Sequence, residues 1–304
     1  MTSADDGPDV LARRFEEHRG HLRAVAYRML GSLAEAEDAV QETWLRLART
    51  DRPDSITHLG GWLTTVTGRI CLDLLRSRAA RRERSMEETF VPDPVLRPLA
   101  GPEDPEAAAL NADAVGVALL VVLDRLAPDE RLVFVLHDLF AVPLDAIAPV
   151  VGRNAAATRQ LASRARRRVA RARPAADPDP GRQRQALDAF VAASRDGDFE
   201  ALLAVLHPDV VLRADAGALV RGAAGSKVLR GAKAVAESAL LFARFNAAAR
   251  TVRVNDGLGL VSVDDDGTIR SVLSVTVADG RVTGLYILAD PDRTARLALP
   301  ERAG

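Results

Sequence analysis

Residues 27–47 read YRMLGSLAEAEDAVQETWLRL, and the fold of the N-terminal half turns on this stretch. At helical spacing Ala36, Val40, Trp44 and Leu47 make one apolar stripe. Glu35, Asp38 and Glu42 fall on another face, with Gln41 and Leu45 beside them. Ser32 and Glu35 have the spacing of a capping box, which predicts a helix start there. Acids three and four apart repel by about 0.2–0.5 kcal/mol per pair. A helix that keeps three of them together either gives that face to water or holds it for a basic partner.

The flanking segments are helical too. Residues 10–30 predict a first helix with Phe15, Leu22, Val25 and Met29 near one face. His18 and His21 lie three apart on it, but no other ligand cluster joins them and no metal site is expected. DRPDS at 51–55 is a turn cluster. Residues 59–84 predict a long helix with Trp62, Val66, Ile70 and Leu74 as its buried stripe. Arg69, Arg76, Arg78, Arg81, Arg82 and Arg84 crowd its second half, opposed only by Asp73 and Glu83. That exceeds what a helix dipole needs and suits a track along phosphates.

Charge is segregated along the 304 residues. Residues 87–130 carry 2 bases and 10 acids, net −8; residues 131–173 carry 9 and 2, net +7. One block is built for an anion and its neighbour is not. Length allows two or three domains. There is no apolar run long enough for a membrane span and no signal peptide. Cys71 is the single cysteine, so no internal disulfide forms and a reducing cytoplasm fits.

Pro92, Pro94, Pro98, Pro102 and Pro105, with Glu103, Asp104 and Glu106, make residues 91–113 an acidic, Pro-rich linker. Residues 114–173 then predict an all-helical unit: a helix to Leu126, another from Pro128 with Val133, Leu136 and Phe140 inward, and a short one over Leu144–Val151. Gly152 makes the turn and Asn154 caps the last helix. There Thr158, Leu161, Ala165 and Val169 face one way; Arg159, Gln160, Ser163, Arg164 and Arg167 face the other. Residues 153–173 hold eight arginines and no acid. This is the pattern of a helix-turn-helix whose second helix enters a major groove, although Pro149 is expected to kink the first.

After a short linker at 174–182, residues 183–206 predict two helices broken at Gly197. Strands follow at 210–215 and, after a helix near 231–246, at four further segments punctuated by Asp256-Gly257, Asp266-Gly267 and Asp279-Gly280. Helices followed by a curved antiparallel sheet predict an α+β cone.

AEAEDAVQETWLRL resembles the core-polymerase-binding helix of region 2 of the bacterial sigma-70 family, in its extracytoplasmic-function branch. The resemblance implies docking on core RNA polymerase through Asp38, Gln41, Glu42 and Leu45. WLTTVTGRICLDLLRSRAAR resembles the segment that melts and reads the −10 promoter element, implying DNA contacts for Arg69, Arg76, Arg78 and Arg81; Gly68 departs from the family's usual arginine there. Residues 126–169 resemble region 4, the reader of the −35 element, implying DNA contacts for Arg159, Gln160, Ser163, Arg164 and Arg167. Residues 183–290 resemble the SnoaL-like domains of the nuclear-transport-factor-2 superfamily. One sigma subgroup carries such a domain as a built-in regulator. FVPDPVLRPL (90–99), RADAG (213–217) and ADPDRTARL (289–297) are similar to its linker and domain motifs, which assigns regulatory roles to Asp215, Gly217, Asp290, Pro291 and Asp292.

The expectation is a multidomain chain: two all-α domains, sigma region 2 at 8–90 and region 4 at 114–173, and an α+β cone-like domain at 183–304. It would be a cytoplasmic alternative sigma factor that binds core RNA polymerase and promoter DNA, modulated by an intramolecular contact of its C-terminal domain, without cofactor or turnover of its own. The alternative is a one-component DNA-binding regulator that senses a small molecule in the cone. An enzyme would need an acid in the cone, and Asp215, with His207 and Lys227 behind it, is the candidate.

Overall fold

The structure is a computed structural model and describes residues 7–51, 53, 56–80, 89–99, 116–172, 179–217, 220, 222–243, 249–255 and 257–299. The chain divides into two compact units. One comprises Met1–Arg82, Glu103–Asp113 and Val122–Arg171; the other comprises Glu83–Pro102, Ala114–Val121 and Ala172–Gly304.

In the first unit, α1 (Gly7–Leu30), α2 (Leu33–Ala48) and α3 (Leu59–Ala80) form a three-helix layer. Phe15, Leu22, Val25 and Met29 are all buried on α1, as the spacing predicts. Gly31 turns the chain at φ 72° and Ser32 caps α2 by accepting a hydrogen bond from the Glu35 amide. Phe15, Leu22, Val40, Leu47, Leu59 and Leu63 form the core, with Trp44 and Trp62 half-buried against its edge. Trp44 lies against Phe15 at 5.1 Å between ring centroids rather than within the core.

The predicted stripe of α3 is corrected. Leu74 is 40% exposed, Trp62 and Val66 are half-buried, and the helix buries Leu63, Thr67, Ile70, Cys71 and Leu75 instead. Steps of four residues advance about 40° beyond a full turn, so a stripe drawn only in fours winds off the buried face within three steps. Thr67 enters that face by bonding back to the Leu63 carbonyl and meeting Thr43 at 2.9 Å.

Helix α4 (Val117–Asp124), whose residues to Val121 belong to the second unit, leads to α5 (Pro128–Val133) of the first, which widens into a π-helical turn over Phe134–Leu139. The buried Phe134, Val135 and Leu136 lie on that turn, and Phe140 ends it half-buried. The helix-turn-helix follows as predicted. Helix α6 (Leu144–Val151) ends at Gly152 with φ 66°, Asn154 Oδ1 accepts from the Ala157 amide at 2.8 Å, and α7 runs over Ala155–Ala172. Helix α6 continues through Pro149, which sits on its exposed side.

In the second unit, α8 (Pro180–Asp196), Gly197 at φ 73° and α9 (Phe199–Val205) reproduce the helix pair broken at glycine. The sheet has seven strands: β1 (Leu96–Arg97), β2 (Leu206–Asp215), β3 (Lys227–Arg230), β4 (Arg250–Val254), β5 (Gly257–Val263), β6 (Ile269–Ala278) and β7 (Arg281–Leu288), in the order β1-β4-β5-β6-β7-β2-β3. All neighbours are antiparallel except β2 and β7. Helix α10 (Ala232–Phe242) joins β3 to the rest, and α11 (Pro291–Thr294) follows β7. Asp279 and Gly280, both at positive φ, make the tight β6–β7 hairpin.

Side-chain alternation gives this sheet two apolar faces. Leu212, Ala214, Val275 and Leu285 face Leu187, Phe190, Leu202 and Val235 of the helices. Val252, Val254, Val261, Val272 and Leu288 face the other way, where Val91, Val117 and Val121 cover them. The first part of the segment expected as a linker, residues 91–99, is therefore a layer of this unit, with β1 hydrogen-bonded to β4 at the sheet edge. Residues 100–113 lie outside the described residues.

Candidate functional site

On α2 the stripe Ala36, Val40 and Leu47 is buried, while Asp38, Gln41 and Leu45 are exposed and Glu42 is half-exposed. The four candidate docking residues thus share one open surface, with Leu45 38% exposed. Glu42 is partly neutralised by Arg46 one turn on, at 3.0 Å.

On α3, Arg69 is exposed and makes no ion pair among the described residues. Arg76 reaches Asp129 of α5 at 2.7 Å, and Arg78 pairs with Glu35 of α2. Arg81 lies outside the described residues. On α7, Thr158, Leu161, Ala162, Ala165 and Val169 form the buried side, and Arg159, Gln160 and Arg167 are exposed opposite it with Ser163 half-buried between them. Arg164 is set apart. Together with Arg168 it turns toward Glu130, which is only 5% exposed, at 3.4 and 2.6 Å. Arg166 pairs with Asp138 on the opposite flank.

The regulatory residues converge. Gly217 has φ 76°, and a β-carbon there would lie 2.8 Å from Asp290 Oδ2, so the RADAG and ADPDR segments touch at this glycine. Asp290 caps α11 by accepting from the Asp292 amide at 2.9 Å. Pro291 and Asp292 are exposed on that turn. Asp215 is 6% exposed and accepts from Gly217 N, from Val91 N at 3.3 Å and from Arg293 Nη1 at 2.7 Å.

Arg293, which the sequence reading passed over, is the centre of this cluster. It also donates to Asp93 at 2.7 Å and to the Val91 carbonyl at 2.6 Å, and lies 4.9 Å from the centroid of the Phe90 ring. Both carboxylates are nearly buried, with side-chain exposures of 9%. A second clamp grips the same strand from the other end. Asn255, at φ 56°, exchanges two hydrogen bonds with Val95, and Arg97 donates to the Asn255 carbonyl at 3.0 Å. FVPDPVLR is thus held at Val91, Asp93, Val95 and Arg97.

The candidate catalytic trio does not assemble. Asp215 and Arg213 alternate with Leu212 and Ala214, so Asp215 projects to the linker-covered face and not toward the helices. His207 begins the same strand, roughly 25 Å away at about 3.3 Å per residue. Lys227 pairs in register with Ala214, but its ammonium sits 4.4 Å from the Phe242 ring, where burial lowers its pKa. Among the described residues no cluster of three or more His, Cys, Asp or Glu could hold a metal, and no helix is long and apolar enough to cross a membrane.

Residues 14–81 match Sigma-70 region 2 and residues 116–169 match Sigma-70, region 4, which defines a transcription initiation factor of the sigma-70 class. Over 95% of its length the chain is 40% identical to the ECF RNA polymerase sigma factor SigJ of Mycobacterium tuberculosis, covering 94% of that protein. It is 35% identical to the probable ECF RNA polymerase sigma factor SigI of the same organism, over 93% of this chain and 94% of that one. The crystal structure of Mycobacterium tuberculosis SigJ superposes with a TM-score of 0.74 at 36% identity, over 94% of this chain and all of that one. The chain belongs to the extracytoplasmic-function sigma factor family, and its activity is transcription initiation with core RNA polymerase on promoter DNA.

Proposed function

We propose that this sigma factor docks on core polymerase through Asp38, Gln41, Glu42 and Leu45, and reads promoter DNA with two arginine-rich helices. Arg69, Arg76 and Arg78 of α3 serve the −10 element. Arg159, Gln160 and Ser163 of α7 serve the bases of the −35 element, with Arg164 and Arg167 on its phosphates. The C-terminal domain acts as a regulator by gripping the segment that joins the two readers: while Arg293 and Asn255 hold residues 91–97, that segment is unavailable to any other partner. Asp215 and Gly217 from one motif and Asp290, Pro291 and Asp292 from the other build the seat for Arg293. The domain has no turnover of its own, since both oxygens of Asp215 are engaged, and the protein works in the cytoplasm with the polymerase.

The observation that carries the polymerase assignment is the common exposure of Asp38, Gln41 and Leu45 opposite the buried stripe of α2. Asp38→Lys with Glu42→Lys is expected to abolish association with purified core polymerase and leave helicity by circular dichroism unchanged. Undiminished binding of the double variant would remove the assignment.

A further inference from the structure

Within the first unit the promoter-reading helix α3 touches α5 and α6, the helices that precede α7. The carboxylate of Asp129, in the first turn of α5, accepts two hydrogen bonds from Arg76 of α3, at 2.7 and 3.1 Å. Its other oxygen lies 3.8 Å from Arg153, at the entry to α7. Asp129 therefore occupies the place between two arginines that a phosphate would take on DNA. Below this pair the helices close on apolar atoms: a β-carbon at Gly68 would stand 3.1 and 3.0 Å from the Leu132 and Leu136 methyls. Arg28 of α1 stacks over Phe140 at 4.8 Å, and the buried Arg131 spans from Asp124 to the Arg28 carbonyl.

This closed contact is incompatible with reading both elements together. The −10 and −35 elements lie about 25 base pairs apart, roughly 85 Å of duplex at ~3.4 Å per base pair. Helix α3, with its 22 residues, is only roughly 33 Å long. DNA this short is far stiffer than its contour, since its persistence length is about 500 Å. Opening the protein is the easier path.

We propose that Asp129 is an intramolecular latch that keeps the two readers closed in the DNA-free protein by holding Arg76 and Arg153 as a phosphate would. The proposal rests on the promoter roles assigned above to α3 and α7. An ion pair suits a releasable latch. Arg76 is 44% and Arg153 55% exposed at the side chain, beside a water-accessible cleft of about 440 Å³. Salt screens such a pair and competing phosphates displace it.

The test uses the full chain with fluorophores on cysteines introduced at two exposed positions, Glu17→Cys on α1 and Ala170→Cys on α7; the native Cys71 is fully buried. At low salt, single-molecule energy transfer is expected to show one dominant close population. Asp129→Asn should raise the open fraction roughly 1.4- to fivefold, the range expected for partly exposed ion pairs. Arg76→Gln, which cuts the latch from the opposite side, should give the same shift, and high salt should abolish the difference from wild type. A distance distribution for Asp129→Asn that coincides with wild type at low salt, in a protein with unchanged helicity, overturns the latch. So does opening by Arg76→Gln alone. Promoter affinity measured on the same samples reads the Arg76 assignment separately. A gain in affinity for Arg76→Gln equal to that of Asp129→Asn upholds the latch and removes Arg76 from the promoter contacts.

Discussion

Replacing Arg293 by methionine keeps much of the side chain's length and removes its charge. Asp93 and Asp215, 7% and 6% exposed, are then left in one nearly buried cluster without their cation. Removing one partner of a buried ion pair costs about 3–5 kcal/mol. At about 1.4 kcal/mol per factor of ten, this corresponds to two to three and a half powers of ten in the equilibrium that frees residues 90–97. The loss falls on that segment first. Among the described residues the segment is held by the Arg293 cluster, the Asn255 clamp, the two-residue strand β1 and the burial of Val91 and its neighbours, whereas β6 and β7 pair over seven residues. Hydrogen exchange of the full chain reads this directly. Val91 N donates to Asp215 and Val95 N to Asn255, so a peptide spanning 89–99 should lose protection by that factor. Peptides from β6 and β7 should exchange as in wild type. Adding Asp93→Asn should recover part of the loss, because one of the two stranded charges is gone. If 89–99 remained as protected in Arg293→Met as in wild type, the cluster would not be what holds the segment.

Two further outcomes follow from the site and the core. Selection on randomised −35 sequences should give a relaxed consensus for Arg159→Ala with Gln160→Ala, at roughly 1–3 kcal/mol per lost bidentate contact, whereas Arg167→Ala should weaken all sequences alike and flatten the salt dependence; an unchanged consensus for the double variant would refute the base-reading role. Burial pushes the Cys71 thiol up to about 12, so between about pH 9 and 12 the unfolded chain has lost a proton that the folded chain keeps. Stability is therefore lost as pH rises through that window, by at most about 1.4 kcal/mol per pH unit from this group. Urea midpoints for Cys71→Ala should fall less steeply there than those of wild type, and equal slopes would contradict the burial of Cys71.

Much of this was legible because it is local. Ser32 and Glu35 announce α2, Gly152 and Asn154 announce the helix-turn-helix, and Asp279-Gly280 announces a hairpin, each through backbone chemistry confined to a few residues. Leu74 was misread because a four-residue stripe ignores the 40° drift per step. The widening at Phe134–Leu139 leaves no trace in apolar spacing, since a single extra residue per turn looks like ordinary irregularity. Strand β3 was missed because KVLR is short and none of its residues is buried, so it carries no alternation. The clasp was half legible. Motif likeness pointed to Asp215, Gly217 and Asp290, but Arg293 takes its meaning from Asp93 and Asp215, which lie 200 and 78 residues away. Its place within ADPDRTARL was the available signal. The role of FVPDPV as a sheet layer was equally hidden, because prolines and acids read as spacer until a sheet face is there to cover.

We propose that the C-terminal domain of this sigma factor governs initiation by gripping the segment between the two readers. Run-off transcription with purified core polymerase on a library of genomic fragments tests it most directly, comparing the full chain with Arg293→Met over a range of polymerase concentrations. Promoter-specific transcripts are expected with both proteins and not with core alone, with a yield that differs strongly between the two. No specific transcript from either protein, or identical yields at every polymerase concentration despite a freed 89–99 segment, would contradict it.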